Sequence, residues 1–195
     1  MTTTEPEADG RVLRGRRNRE AIVDALLQLY GNGHLRPTAA VVAEAAGLST
    51  RSVYHHFDDM KSLILEVSAR SEERWKAVTE PPSRDLPIDA RLEAFAKHRA
   101  TRWSIAADVI RAGLVAEQSS KTVARIMQDG RRSDRAQVAD LFDDAISTAG
   151  RPEWVLAALD VAFDFATWNH LHRWSGVDDE TVEEIVVALA GAAFA

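Results

Sequence analysis

Apolar residues recur along most of the chain with the spacing of amphipathic α-helices. The first clear stripe predicts a helix from about residue 16 to residue 30, with one buried face formed by Ala21, Ile22, Ala25, Leu26 and Leu29. Similar stripes predict further helices near residues 58–78, 88–103, 104–117, 119–149, 152–174 and 178–194. No segment alternates apolar and polar residues as a half-buried strand would. Together with two short helices between residues 38 and 57, the pattern predicts an all-α fold of about nine helices.

The two short helices are joined by a tight turn. Thr38 can cap the first of them, and Gly47 can end it in a left-handed conformation. Ser49 can cap the second, in which Val53 and Phe57 point inward. A short turn that contains glycine between two short helices is typical of a helix-turn-helix, although an ordinary αα-corner can share this geometry.

The outward positions of the second short helix carry hydrogen-bonding groups, with no carboxylate before Asp58. Such groups suit the base edges and phosphates of a DNA major groove, whereas a carboxylate would repel phosphate. We expect Thr50, Arg51 and Ser52 to read bases. The full set that we expect at DNA from this helix and its cap is Ser49, Thr50, Arg51, Ser52, Tyr54, His55 and His56.

The run AEAAGLSTRSVYHHF resembles the DNA-binding signature of the TetR family of tetracycline-repressor-like regulators. The alanine-glycine turn, the Tyr-x-His-Phe run and the flanking helices have the family's spacing over roughly residues 17–65. The resemblance implies a homodimeric transcriptional regulator, most often a repressor that a small molecule releases from a palindromic operator. It also implies a three-helix head followed by a helical bundle for ligand binding and dimerisation.

Two positions depart from the family pattern. Ala40 stands where the family often has a basic residue, and Met60 where it often has lysine, with Lys61 one position later. These departures leave open the alternative of a helical ligand-binding or protein-interaction module that has lost DNA binding. They also give more weight to the arginine-rich residues 11–19.

We expect residues 1–15 to form a flexible basic arm and residues 16–60 to form the helix-turn-helix domain. An arm of this composition can reach phosphates or the minor groove, although a solvated basic tail has the same composition. Its expected DNA contacts are Arg14, Arg16 and Arg17. The expected phosphate contacts outside it are Thr38, Tyr54, His56 and Lys61.

Charge is distributed unevenly along the chain. The net charge is −6, yet residues 11–57 carry seven arginines against three carboxylates, and the excess of acid lies on both sides of them. A basic head on an acidic remainder presents one end to a polyanion. The chain has no cysteine, which excludes disulfides and thiolate zinc sites. No secretory signal or membrane span is predicted, so we expect a cytoplasmic protein.

Enzymatic and metal-binding interpretations find no support in the residue pattern. The six histidines do not have the spacing of metal ligands, and the chain has no phosphate-binding glycine loop and no catalytic signature. We therefore predict no enzyme activity, no metal and no cofactor. The expected partners are double-stranded DNA, a second copy of the chain and a small-molecule effector, with no membrane.

Residues 61–195 are predicted to form the ligand-binding and dimerisation domain. Its last two helices are apolar on more than one side, which predicts a dimer interface formed by Leu156, Leu159, Phe163, Ala166, Val182, Ile185, Val186 and Leu189. The aromatic residues of this domain suit either a packed core or a ligand cavity, and the resemblance implies a cavity. The residues expected to line it are His98, Arg102, Trp103, Phe142, Phe163 and Asn169.

Overall fold

The computed structural model describes residues 5–194, with side chains described at Gly10 and from Val12 onward. The described residues form ten α-helices and a terminal 3₁₀ turn, without a strand, so the predicted all-α fold is confirmed. They divide into two compact units. We call residues 1–72 with 108–124 the head, and residues 73–107 with 125–195 the body.

The chain opens with four helices, which are α1 (Glu5–Gly31), α2 (Ala39–Ala45), α3 (Thr50–His56) and α4 (Met60–Lys76). Because α1 begins at Glu5 and not near residue 16, residues 5–15 are helical where a flexible arm was expected. Extending a helix that has already formed avoids the cost of nucleation, so this stretch needs no apolar stripe of its own. Residues 1–4 of the expected arm lie outside the described residues.

The head has its own apolar core. Ile22, Val23 and Leu26 of α1 are fully buried against residues of the next three helices, which include Val42, Val53, Leu63 and Val67. Ala112, far along the chain, belongs to the same core. The head is therefore more than the three helices predicted for it.

Six helices follow, and their boundaries are α5 (Ile88–Ala116), α6 (Lys121–Leu141), α7 (Asp143–Thr148), α8 (Pro152–Ala162), α9 (Phe165–Trp174) and α10 (Asp179–Gly191). A 3₁₀ turn over Ala192–Phe194 ends the described chain. The break expected near Ser104 is absent: α5 continues through Ser104, whose hydroxyl donates to the Thr101 carbonyl of the same helix. The helix predicted over 152–174 is instead divided at Asp164, whose carboxylate caps α9 by accepting from the Ala166 N–H at 2.7 Å.

Aromatic rings fill the centre of the body. The centroid of the Phe95 ring lies 5.8 Å from that of Phe142 and 4.8 Å from that of Phe163. Leu159 and Val186 pack into the same core. Close packing of this kind leaves little internal space.

Candidate nucleic-acid interface

Hydroxyl groups start both short helices of the head. The Thr38 hydroxyl accepts from the Val41 N–H at 3.4 Å, and the Ser49 hydroxyl accepts from the Ser52 N–H at 3.1 Å. The Ser49 and Ser52 hydroxyls also bond to each other at 2.9 Å. Gly47 supplies the left-handed turn between the helices, with φ of 66°. Thr38 and Ser49, both predicted DNA contacts, therefore also serve as helix caps, and Ser52 is bonded to the second of them.

One side of α3 is open to solvent. Val53 is buried in the head core, whereas Thr50, Arg51, Tyr54 and His55 are exposed. Residues 50, 51, 54 and 55 lie on one side of a helix, because positions four apart are neighbours on its surface. The structure thus brings together hydroxyl, guanidinium, phenol and imidazole groups on a single face.

His56 differs from the rest of the predicted set because it is half-buried. Burial, and then repulsion from His55 and Arg19, lowers the pKa of its imidazole. A lowered pKa favours the neutral ring at neutral pH. His56 can therefore offer a hydrogen bond to DNA, but not a positive charge.

The predicted arm residues lie along the first half of α1, where Arg14, Arg16 and Arg17 are all exposed. The Arg16 guanidinium pairs with the Glu20 carboxylate one turn later, at 3.1 Å. The Arg14 Nε donates to the Gly10 carbonyl at 3.2 Å. Lys61 is exposed in the first turn of α4.

Arg19 is a residue of the head that the sequence pattern did not single out. Its guanidinium donates to the main-chain carbonyl of His56 and pairs with the Glu66 carboxylate, and it lies over the Phe57 ring with 4.2 Å to the centroid. Glu66 is 47 positions away in the sequence. No local spacing could have indicated this interaction.

The predicted ligand residues do not form one site. Trp103 and Phe163 line a small cavity in the body, together with Arg99 and Trp168. The cavity measures about 10 Å³, which is room for one water molecule. Phe142 lies in the aromatic core and Asn169 is half-buried on α9, and neither lines this cavity.

His98 and Arg102 lie instead in a buried polar cluster, which also contains Arg99 and Asp134. Arg99 and Arg102 both donate to Oδ1 of Asp134, Arg99 at 2.9 Å. Nδ1 of His98 lies 3.0 Å from the Thr79 hydroxyl. Nε2 of His98 and Nε of both arginines find no hydrogen-bond partner among the described residues. Arg99 was missed from the sequence, although it lies one turn before Arg102 on the same helix.

Four of the eight predicted dimer residues turn inward. Leu159, Phe163, Val182 and Val186 are buried within the body of a single chain, so they offer no surface to a second copy. The reason is that α8 packs on α10 of its own chain, and this packing uses the apolar stripe. Leu156 and Ile185 are half-buried, and Ala166 and Leu189 are exposed. Two large apolar side chains of α8 that were not predicted, Trp154 and Val161, are also exposed.

No helix among the described residues is long and apolar enough to cross a membrane. Over the same residues, no group of three or more histidine and carboxylate side chains is placed to hold a metal ion.

The described residues are helical and contain no strand, and the head exposes hydrogen-bond donors on a capped helix-turn-helix. This combination is typical of the class of DNA-binding regulators.

Comparison with known proteins agrees with this class. Residues 22–67 match the model of the bacterial regulatory proteins of the tetR family. The resemblance predicted from the sequence is confirmed over these residues: they carry the DNA-binding segment of the tetR family, which makes the chain a DNA-binding regulator.

The fold is also found in a solved structure. The crystal structure of a transcriptional regulator from Rhodococcus sp. Rha1 superimposes with a TM-score of 0.66, at 19% sequence identity, over 92% of this chain and 95% of that one. At this level of identity the similarity concerns the fold. No protein with a curated description matches the sequence at a significant level.

Proposed function

We propose that this protein is a homodimeric, cytoplasmic repressor that binds a palindromic operator through α3 and leaves it when a small molecule binds the body. The observation that carries the proposal is the exposed face of α3, where Thr50, Arg51 and Tyr54 lie on a helix capped at Ser49. Its N-terminal residues would enter the major groove, as in other helix-turn-helix proteins.

Within this interface, base reading falls mainly to Arg51 and Thr50. A guanidinium can donate two hydrogen bonds to a guanine edge, and such a contact discriminates by about 1–3 kcal/mol. The Ser52 hydroxyl is already bonded to the hydroxyl of the capping Ser49, so we expect Ser52 to contribute less to base reading. Tyr54, Thr38 and Lys61 would hold phosphates, and these contacts orient the protein without selecting sequence.

The experiment that tests the proposal selects bound fragments from genomic DNA and sequences them. Two recognition helices related by a two-fold axis meet major-groove faces about 34–36 Å apart, so the selected sites should be near-palindromes with that spacing. Selection of unrelated fragments, or of none, would favour the alternative of an interaction module.

Arg51→Ala gives the sharpest single test of the reading face. It should weaken binding to the selected site by about 1–3 kcal/mol and relax preference at one symmetric base pair. The matched control is Tyr54→Phe on the same face, which should weaken binding to all sequences alike. Competition binding against a library of single-base variants measures both. An unchanged preferred sequence in Arg51→Ala would mean that α3 does not read the groove in this way.

The effector site of the proposal lies beside Trp103, Phe163 and Trp168. Apolar walls suit small ligands, and the surface of this cavity is almost wholly apolar, with Arg99 among the residues that line it. A cavity the size of one water must widen to admit a ligand. The effector must also bind the DNA-released state more tightly than the DNA-bound state, since only differential affinity shifts an equilibrium.

An aromatic probe tests the effector proposal. We expect 8-anilinonaphthalene-1-sulfonate to bind one site per chain, with a saturable rise in its fluorescence. It should release the selected DNA fragment over the same concentration range. Binding without release would show that the site is not coupled to DNA binding.

A further inference from the structure

The guanidinium of Arg19 joins three helices of the head. It extends from α1, donates through Nη1 to the carbonyl oxygen of His56 at the end of α3, and pairs through Nε and Nη2 with both oxygens of Glu66 on α4. The same group lies over the ring of Phe57, the C-cap residue of α3, with its central carbon 4.2 Å from the ring centroid. One side chain thus holds the end of the helix that carries the exposed donor face.

The hydrogen bond from Arg19 to the His56 carbonyl stabilises the C-terminal end of α3. The last carbonyls of any helix have no partners within that helix and carry partial negative charge, so a cation at this end is favourable. α3 has only seven residues, too few for a helix to be stable without tertiary contacts. The direction of α3 in the head therefore depends on its tertiary contacts. Packing alone supplies few of these, because Val53 is the only buried side chain of α3.

The pairing with Glu66 fixes the guanidinium itself. Two parallel N–H to oxygen bonds define the plane of the group, which a single charge contact would not do. The pair is partly shielded from solvent, with 42% of the Arg19 side chain and 28% of the Glu66 side chain exposed. Because it is half-buried and bonded to two other helices, Arg19 differs from the exposed arginines earlier in α1.

We propose that Arg19 is a positioning residue for DNA recognition: it sets the direction of α3, and so of Arg51 and Tyr54, without touching DNA. This inference rests on the DNA-binding function proposed above. It separates the arginines of residues 11–19 into two kinds, those that meet phosphate and one that orients the reading helix. Arg19 should then affect discrimination between sequences more than general affinity.

The test measures binding of the full-length protein to the selected fragment and to an unrelated fragment, each over a range of salt concentrations. Arg19→Met should bind the selected fragment about tenfold more weakly, the equivalent of one hydrogen bond to a charged group. Its affinity for the unrelated fragment should stay within about twofold of the wild type. The slope of log affinity against log salt should not change, because the variant still neutralises the same phosphates.

Arg17→Met is the matched control. Arg17 is exposed on the same helix, so its removal should weaken binding to both fragments equally and reduce the slope by about 0.9. Arg19→Lys keeps the charge but not the planar fork, and it should resemble Arg19→Met more than the wild type. A reduced slope with equally weakened binding to both fragments in Arg19→Met would overturn the inference, since Arg19 would then bind phosphate. Unchanged discrimination would overturn it as well.

A second variant covers the case in which Arg19→Met does not fold, as judged by circular dichroism. Glu66→Gln leaves Arg19 in place but weakens the pairing that fixes its plane, so it should show the same selective weakening to a smaller degree. If Glu66→Gln discriminates as well as the wild type, the inference fails. Should the wild type itself bind both fragments equally, the proposed function fails and not this inference alone.

Discussion

At His98, burial and charge act on the imidazole in the same direction. The side chain is buried on α5, stacked on Phe95, with the guanidiniums of Arg99 and Arg102 nearby. Burial first, and then repulsion from these two cations, lowers the pKa of His98 to about 4, although the Glu80 backbone and Asp134 act in the opposite sense. The ring is therefore neutral in the folded protein over a range where it would be protonated in the unfolded chain.

This lowered pKa predicts that acid destabilises the fold. Between pH 6.5 and pH 4 the unfolded chain binds the proton more readily, so the stability that neutral His98 contributes is complete above pH 6.5 and declines as the pH falls. We expect the free energy of unfolding in urea to fall by roughly 2 kcal/mol more between pH 7 and pH 4.5 in the wild type than in His98→Gln.

The control for this comparison is His34→Gln, because His34 is exposed. It should still show the decline in stability at low pH, since it keeps His98 in its buried position. Equal pH dependence in His98→Gln and the wild type would show that His98 does not release its proton on folding.

Among the elements, α1 has the clearest consequence for DNA binding. A helix that runs from Glu5 places Arg14 and Arg17, three positions apart, on one face, whereas a flexible arm would leave them independent. Arg16 lies on another side and pairs with Glu20. The exposed basic face of α1 is thus formed by Arg14 and Arg17, and Arg16 has its charge partly matched.

We therefore expect unequal effects from the arginines of α1. Arg14→Gln combined with Arg17→Gln should reduce the slope of log affinity against log salt by about 1.8, since each phosphate that the protein no longer neutralises reduces it by about 0.9. Arg16→Gln should reduce it less, because the wild-type charge is shared with Glu20. Fluorescence anisotropy at several salt concentrations measures the slopes. Three equal single effects would instead indicate a flexible arm.

Elements with local signals were predictable from the sequence. α3 spans Thr50–His56 with its cap at Ser49, as expected, because a capping serine and a preceding glycine act on adjacent residues. The division at Asp164 was missed, since an aspartate in the middle of an apolar stripe resembles a solvent-facing helix position. The exposed face of α3 followed from its own sequence, but Arg19 did not, because its partners come from distant segments.

For the whole molecule, the apolar stripe of the last helices could not reveal whether it faces the chain's own core or a partner. Leu159 is fully buried in the body, so Leu159→Glu would unfold the chain and say nothing about assembly. The proposed dimer must use the outward side, where Val161 and Leu189 are exposed by 64% and 49%. Large exposed apolar side chains of this kind mark interaction surfaces when they are grouped.

Val161→Glu combined with Leu189→Glu should give a folded monomer, because both carboxylates of each chain would be buried unpaired in an isologous interface. The matched control is Val78→Glu, since Val78 is exposed by 63% but lies outside the last helices. This control should stay dimeric. Sedimentation velocity distinguishes the two, and a double variant that remains dimeric would place the interface elsewhere.

The head is built from two separated stretches of the chain, and this has a consequence for how the protein is made. A ribosome completes residues 1–72 well before it reaches Ala112, which the head core includes. The core of the nascent head therefore cannot be completed until residues 73–107 of the body, and then Ala112, have been synthesised. For the same reason, a chimera that exchanges heads between relatives needs junctions near residues 72, 107 and 124, because a single fusion point would leave the core incomplete.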